Sequence, residues 1–188
     1  VDGSKPVLSR RSNDKEEAKY IADKIISLKP EHDYNDFAVL SRTSFQSNEI
    51  QLQFMQRNIP FIVVGGIKFI EKRHIKDILA LVKILYNPND TIAWHRILTL
   101  FSGVGEVTAT KITNAITSSN NSFEPLLDPK LTKNKEHINE LYHVLTKAEQ
   151  QETVADILQT LIDFYLPMLK TLEDNWRDRS EDFRVLIN

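Results

Sequence analysis

Apolar positions along the first half of the chain alternate between two rhythms. Ala18, Ile21, Ala22, Ile25 and Leu28 keep the three-to-four spacing of an amphipathic helix, and Asn13 or Asp14 is placed to cap it. Lys29-Pro30 ends that helix. Short apolar runs at Pro6–Arg10, Phe37–Ser41 and Phe61–Val64 read as strands, and helical spacing returns at Ser47–Arg57 and Ile75–Tyr86. A strand–helix order repeated in this way predicts a parallel sheet with crossover helices. Asn87-Pro88-Asn89-Asp90 then punctuates the chain. Beyond it the strand rhythm stops. Thr91–Leu100, Glu106–Ser118, Lys133–Gln150, Val154–Tyr165 and about Leu169–Leu186 all carry helical periodicity. The expected fold is therefore α/β: a partial parallel sheet with flanking helices over residues 1–90, then an all-helical subdomain over 91–188.

Composition changes this picture little. The 188 residues are 41% hydrophobic and 27% charged, which suits a folded chain with a real core. No apolar run reaches the length of a membrane span, and Val1-Asp2-Gly3-Ser4-Lys5-Pro6 lacks the apolar stretch of a secretory signal. With no cysteine there is neither disulfide nor thiolate metal site. A cytoplasmic protein with no membrane partner is the expectation.

Charge matters more through its placement. The net charge of −2 argues against a global field for polyanions. Residues 1–91 hold 14 Lys and Arg against 12 Asp and Glu, whereas residues 92–188 hold 10 against 14. Any nucleic-acid contact must come from local patches.

Three patches qualify. Arg42 follows an apolar run, and ligands of open α/β sheets bind beyond the strands' carboxyl ends. There a guanidinium can reach a γ-phosphate; a surface ion pair is the plain alternative. Gly65, Gly66, Lys68 and Phe69 lead into Lys72, Arg73 and Lys76, four cations within nine residues suited to backbone phosphates, with Phe69 available to stack on a base. The plain alternative is a solvated helix face, with Phe69 in the core and Glu71 and Asp77 offsetting the charge. Gly103-Val104-Gly105 joins two helical stretches as a helix-hairpin-helix, with Thr108 and Lys111 on the second helix. The N–H groups that open such a helix bind phosphate without reading sequence, and the plain alternative is a structural corner. Five histidines show no metal-ligand spacing, so no metal site is expected.

Taken together these segments resemble superfamily 1A DNA helicases of the UvrD, Rep and PcrA kind. Val39-Leu40-Ser41-Arg42-Thr43 with Gln46-Ser47 is similar to helicase motif IV. Ile59-Pro60-Phe61, Gly65-Gly66, Phe69 and Ile75-Lys76-Asp77 match the run that follows it. Arg96-Ile97 and Gly103-Val104-Gly105 match the opening of the accessory subdomain that grips duplex DNA. The resemblance implies that residues 1–90 are part of a RecA-like domain 2A and residues 91–188 part of the inserted domain 2B.

It implies further that Arg42 meets the ATP γ-phosphate and that the glycine-pair segment and the hairpin contact DNA. The DNA would be single-stranded and at a duplex junction. Where the family has an arginine, this chain has Ser102 and Asn48, and where it has a glutamate, His74.

No Gly-x-x-x-x-Gly-Lys-Ser/Thr loop and no Asp-Glu metal motif occurs in these residues. ATP and Mg²⁺ are therefore expected of an intact parent and not of this section, which is expected to be inactive alone. The rest of the helicase chain would be its partner, and an exposed edge of the incomplete sheet invites self-association. A helicase-nuclease subunit shares these motifs, and a stand-alone interaction module descended from a helicase is the competing class.

Overall fold

Helix α1, Asp14–Leu28, starts where Asn13 Oδ1 accepts the Glu16 amide at 2.9 Å, with Asp14, Glu16 and Glu17 in its first turn. Both features favour a helix start, the carboxylates through the macrodipole. The coordinates are a computed structural model that describes residues 5–64, 66–120, 122–131 and 135–187. They fall into two compact units, Val1–Phe69 and Ile70–Asn188.

In the first unit α1 packs on α2, Ser44–Gln56. Ala22, Ile25, Phe54 and Ile59 form the core between them, with Ile21, Tyr34, Phe37, Ile50 and Phe61 around it. Thr43 caps α2 through its side chain, so the helix begins three residues earlier than its apolar spacing suggests. Its end is a Schellman motif. Asn58 is left-handed at φ 55°, its amide donates to the Met55 carbonyl, and the Ile59 amide donates to the Phe54 carbonyl at 2.8 Å. The accompanying contact of Ile59 with the Phe54 side of the helix ties the cap into the core. Helix α2 also buries polar groups. Gln51 accepts the Phe69 amide at 2.9 Å, and burial pushes the Glu49 carboxyl up from its ordinary range, against the pull of Lys15.

The expected parallel sheet is not present: among the described residues there is no strand. Pro6–Arg10, Phe37–Ser41 and Phe61–Val64 are extended or irregular chain without ladder partners. Their burial shows why. Leu40 is 95% exposed and Ile62 86%, and Val7, Leu8 and Val64 are similarly open. Strand propensity is a preference for a pleated, half-buried surface, and a strand exists only when a second run completes its hydrogen bonds. With no sheet among these residues, self-association through a sheet edge loses its basis.

Among its described residues the second unit holds six α-helices: α3 Arg73–Tyr86, α4 Thr91–Leu98, α5 Glu106–Ser118, α6 Lys135–Glu149, α7 Val154–Leu172 and α8 Trp176–Ile187. Helix α3 is its axis, touching α4, α6, α7 and α8. Ile75, Ile78, Leu81 and Ile84 of α3 are wholly buried, as are Trp94, Ile97 and Leu98 of α4. Trp94 donates from Nε1 to the Pro88 carbonyl at 2.8 Å and meets Phe123 edge to face. Helix α7 runs through Pro167, where the sequence pattern suggests a break. Proline removes one helical donor, but Tyr165 and Leu169, one turn apart on either side, are both buried and hold the axis together.

An ionic clasp joins the last helix to the start of α3. Asp182 accepts from Lys72 Nζ at 2.9 Å and from His74 Nε2 at 2.8 Å, all three side chains being largely enclosed. Burial by itself raises the Asp182 carboxyl, but the His74 and Lys72 hydrogen bonds outweigh it and hold the group below its ordinary range. A depressed carboxylate stabilises the fold above its unfolded pKa, about 3.9, and loses that contribution as pH falls through the lower folded value. Asp182→Asn should therefore cost about 3 kcal/mol at neutral pH. In urea melts of both proteins the gap should close steadily in acid below the ordinary carboxylate range; a gap independent of pH would exclude the ionic clasp as its source.

Candidate nucleic-acid interface

Helices α4 and α5 form a hairpin whose turn is set by one glycine. Gly103 has φ +78°, a conformation that side chains with a Cβ resist, and Val104 behind it is buried. The Val104 amide donates to the Phe101 carbonyl at 3.1 Å, and the Ala109 amide to the Gly105 carbonyl at 2.9 Å. Gly105 has φ −90° and an added Cβ there meets nothing within 4 Å, so the turn needs glycine at 103 and tolerates a side chain at 105. Gly105 supplies no side-chain cap to α5, leaving the opening N–H groups to solvent or to an anion. Ala109, Ile112 and Ile116 face inward and Lys111 is exposed. Thr108 is half-buried.

The hairpin is anchored from beneath by a carboxylate. Asp77 of α3 is wholly buried and accepts from Arg96 Nε of α4 at 2.6 Å and from the Tyr165 hydroxyl of α7 at 2.5 Å. Arg96 donates again, from Nη2 to the Arg73 carbonyl at 3.2 Å. Burial pushes the Tyr165 hydroxyl far above its ordinary range, and the hydrogen bond to Asp77 adds to it, so Tyr165 remains a donor at any working pH. Three helices thus share one carboxylate. The plain alternative, in which Asp77 on a solvated face offsets part of the charge, is corrected here. Helical spacing carries the signal: Asp77 lies three before Ala80, four before Leu81 and seven before Ile84, on the apolar stripe, where a carboxylate must find a partner.

On the hairpin's outer side His95 Nδ1 lies 3.0 Å from Glu106 Oε2, and Thr110 Oγ1 lies 3.3 Å from His95 Nε2 while donating to the Glu106 carbonyl. A shallow groove of about 350 Å³ opens there, lined by Arg73, His95, Arg96 and Glu106. Sequence reading alone does not single out His95 or Glu106, because their pairing spans the turn.

The other candidates are placed as follows. Arg42 is exposed, one residue before the Thr43 cap of α2. Gly65 lies outside the described residues. Gly66 is exposed, and a Cβ there meets only Val63 at an ordinary 3.5 Å. Lys68 is exposed, with its ammonium 5.9 Å from the Phe61 ring centre. Phe69 is only 1% exposed, so its ring offers no open stacking face. Lys72 is engaged by Asp182, Arg73 lies 3.7 Å from Glu173, and Lys76 is exposed. No group of three His, Asp or Glu among the described residues is arranged to hold a metal ion, and no helix among them is long and apolar enough to cross a membrane.

The model of the UvrD-like helicase C-terminal domain matches residues 1–184, nearly the whole chain. The chain belongs to that family. It is 31% identical over 156 residues to a probable DNA helicase II homolog of Rickettsia conorii, covering 81% of this chain and 22% of that protein. Over 173 residues it is 31% identical to DNA helicase II of Rickettsia typhi (84% and 26%). It is 31% identical over 173 residues to the ATP-dependent DNA helicase PcrA of Staphylococcus aureus strain Mu50 (85% and 24%). The chain spans about a quarter of the length of these relatives.

In this member of the family the hairpin's position depends on the Asp77 centre. Asp77→Ala should cost about 3–5 kcal/mol, because it strands a half-buried guanidinium and a buried hydroxyl. Tyr165→Phe should cost about 1–2 kcal/mol. The double variant, measured by chemical denaturation, should cost less than the sum, since either single variant already removes the Tyr165–Asp77 hydrogen bond. Strict additivity would show that the two groups do not share the carboxylate.

Proposed function

We propose that this chain is a section of an ATP-dependent DNA helicase that moves 3′ to 5′ in repair or replication. Residues 1–90 belong to its domain 2A and residues 91–188 to its domain 2B. Its part in the work is to hold duplex backbone with the α4–α5 hairpin and to offer one phosphate contact through Arg42. The observation that carries this reading is a Gly103-turned hairpin with an uncapped helix start, in a chain of the UvrD-like family. Relatives named as DNA helicase II and as an ATP-dependent DNA helicase support it.

The hairpin has backbone N–H groups and Lys111 to give to phosphates, and nothing shaped to read base edges. Arg42 is an exposed guanidinium, the group suited to a phosphate. These residues alone do not make a nucleotide or Mg²⁺ site, since a phosphate cradle, metal ligands and a water-positioning group are all needed for phosphoryl transfer. The contact belongs to an assembled parent.

Duplex binding by the 188-residue chain should be weak and indifferent to sequence. With roughly two to four phosphates neutralised, log K should fall against log salt with a slope near −2 to −4. Gly105→Asp is the decisive variant. Aspartate is a favoured helix cap and the site has room for it, so the fold should be kept while a carboxylate covers the α5 amides. Labelled-duplex titrations should show binding lost in this variant; unchanged binding removes the hairpin from the interface. In an intact helicase carrying this section, Arg42→Ala should lower ATP turnover by roughly 10³-fold, and near-normal turnover would dismiss the Arg42 assignment.

A further inference from the structure

The groove beside the hairpin has an unusual balance of fixed and loose charge. Arg96 is fixed: Nε is held by Asp77 at 2.6 Å and Nη2 by the Arg73 carbonyl at 3.2 Å. Its Nη1 has no protein partner among the described residues, and the side chain is 35% exposed where it lines the groove. A guanidinium locked along one edge and open on another is a pre-organised donor, because little rotamer freedom remains to be lost on binding. Arg73 lines the same groove, half-exposed and 3.7 Å from Glu173, too far for a strong hydrogen bond.

The carboxylates around these cations differ in how committed they are. Asp77 is spent on Arg96 and Tyr165. Among the described residues the Glu106 carboxylate is held only by His95, at 3.0 Å, and its side chain is 80% exposed. An exposed pair of that kind contributes little, and the carboxylate swings away at small cost. Glu106 is also the first residue of α5, at the mouth of the hairpin. Its carboxylate lines the same groove as Arg73 and Arg96 while its hydrogen bond goes to His95.

We propose that this groove seats one phosphodiester group of a nucleic-acid backbone, held by Arg96 and Arg73, and that Glu106 is the resident competitor it displaces from His95. The inference rests on the hairpin reading, which brings a backbone to this face, and extends it to a second contact set by Asp77. It also makes Asp77 a positioning residue, since the carboxylate aims Arg96 without meeting the phosphate.

Inorganic phosphate tests the groove apart from the hairpin. Titrated into the 188-residue chain and followed by NMR, it should shift the Arg96, Arg73 and His95 side-chain signals. Glu106→Gln, a change on an exposed side chain, should tighten both phosphate and labelled-duplex binding by about two- to five-fold. Arg73→Gln should weaken both by a similar factor. Phosphate shifts that avoid these side chains, or affinities unmoved by Glu106→Gln, would overturn the proposal even where Gly105→Asp abolishes duplex binding. Conversely, duplex binding unmoved by Gly105→Asp and Lys111→Gln defeats the hairpin reading, while the phosphate titration still decides the groove.

Discussion

Everything on the hairpin side of the molecule depends on where the Asp77 carboxylate ends up. A carboxylate buried without partners in a helical core is too costly to keep, so the fold must deliver donors to it. It delivers two, from helices distant in sequence: Arg96 from α4 and Tyr165 from α7. Each satisfied oxygen fixes one helix against α3. Apolar contacts along Ile75, Ile78, Leu81 and Ile84 supply most of the burial, but such contacts are non-directional and tolerate sliding. The two hydrogen bonds do not. They set the register of α4, and with it the place of the Gly103 turn and the first amides of α5.

The same centre decides how charge is presented. The carboxylate consumes one edge of the Arg96 guanidinium and leaves another to the groove, so a buried negative group orients a half-buried positive one. A second enclosed carboxylate, Asp182, plays a comparable part for Lys72 and His74 at the start of α3. Cations that look like a continuous basic patch in the sequence are thereby sorted. Lys72 is engaged inside the unit, Arg73 is only loosely paired, and Lys76 is left to solvent. A linear count of lysines and arginines overstates the charge this segment presents to solvent.

The first unit is governed by the opposite condition. Its core between α1 and α2 is small, and the extended runs beside it leave large apolar side chains such as Leu40 and Ile62 open. An isolated apolar run gains nothing from being extended unless a neighbour supplies both hydrogen bonds and a surface to cover. Helices have no such requirement, because their hydrogen bonds close within one segment. The helices of this unit therefore form among the residues present, and the runs predicted as strands do not pair.

This contrast marks what the sequence by itself determined. The Asn13-capped start of α1, the existence of α3, the glycine turn and the family motifs are all local, since each rests on groups a few residues apart. The Thr43 cap of α2 lies outside its apolar spacing, and the buried face of α3 runs through Leu81 and Ile84 while Tyr86 is exposed. Only the tertiary structure decided the rest. Whether Phe37–Ser41 and Phe61–Val64 are strands depends on partners that local pattern does not name. That Asp77 is a buried hub, that Phe69 is enclosed and that Glu106 faces His95 across the turn are outcomes of packing between distant segments. Spacing along α3 marks Asp77 as facing inward, but nothing local identifies Tyr165, 88 residues away, as the hydroxyl that satisfies it. The reason is physical: a helix is closed by its nearest neighbours, whereas a buried charge is satisfied only by whichever groups the fold brings to it.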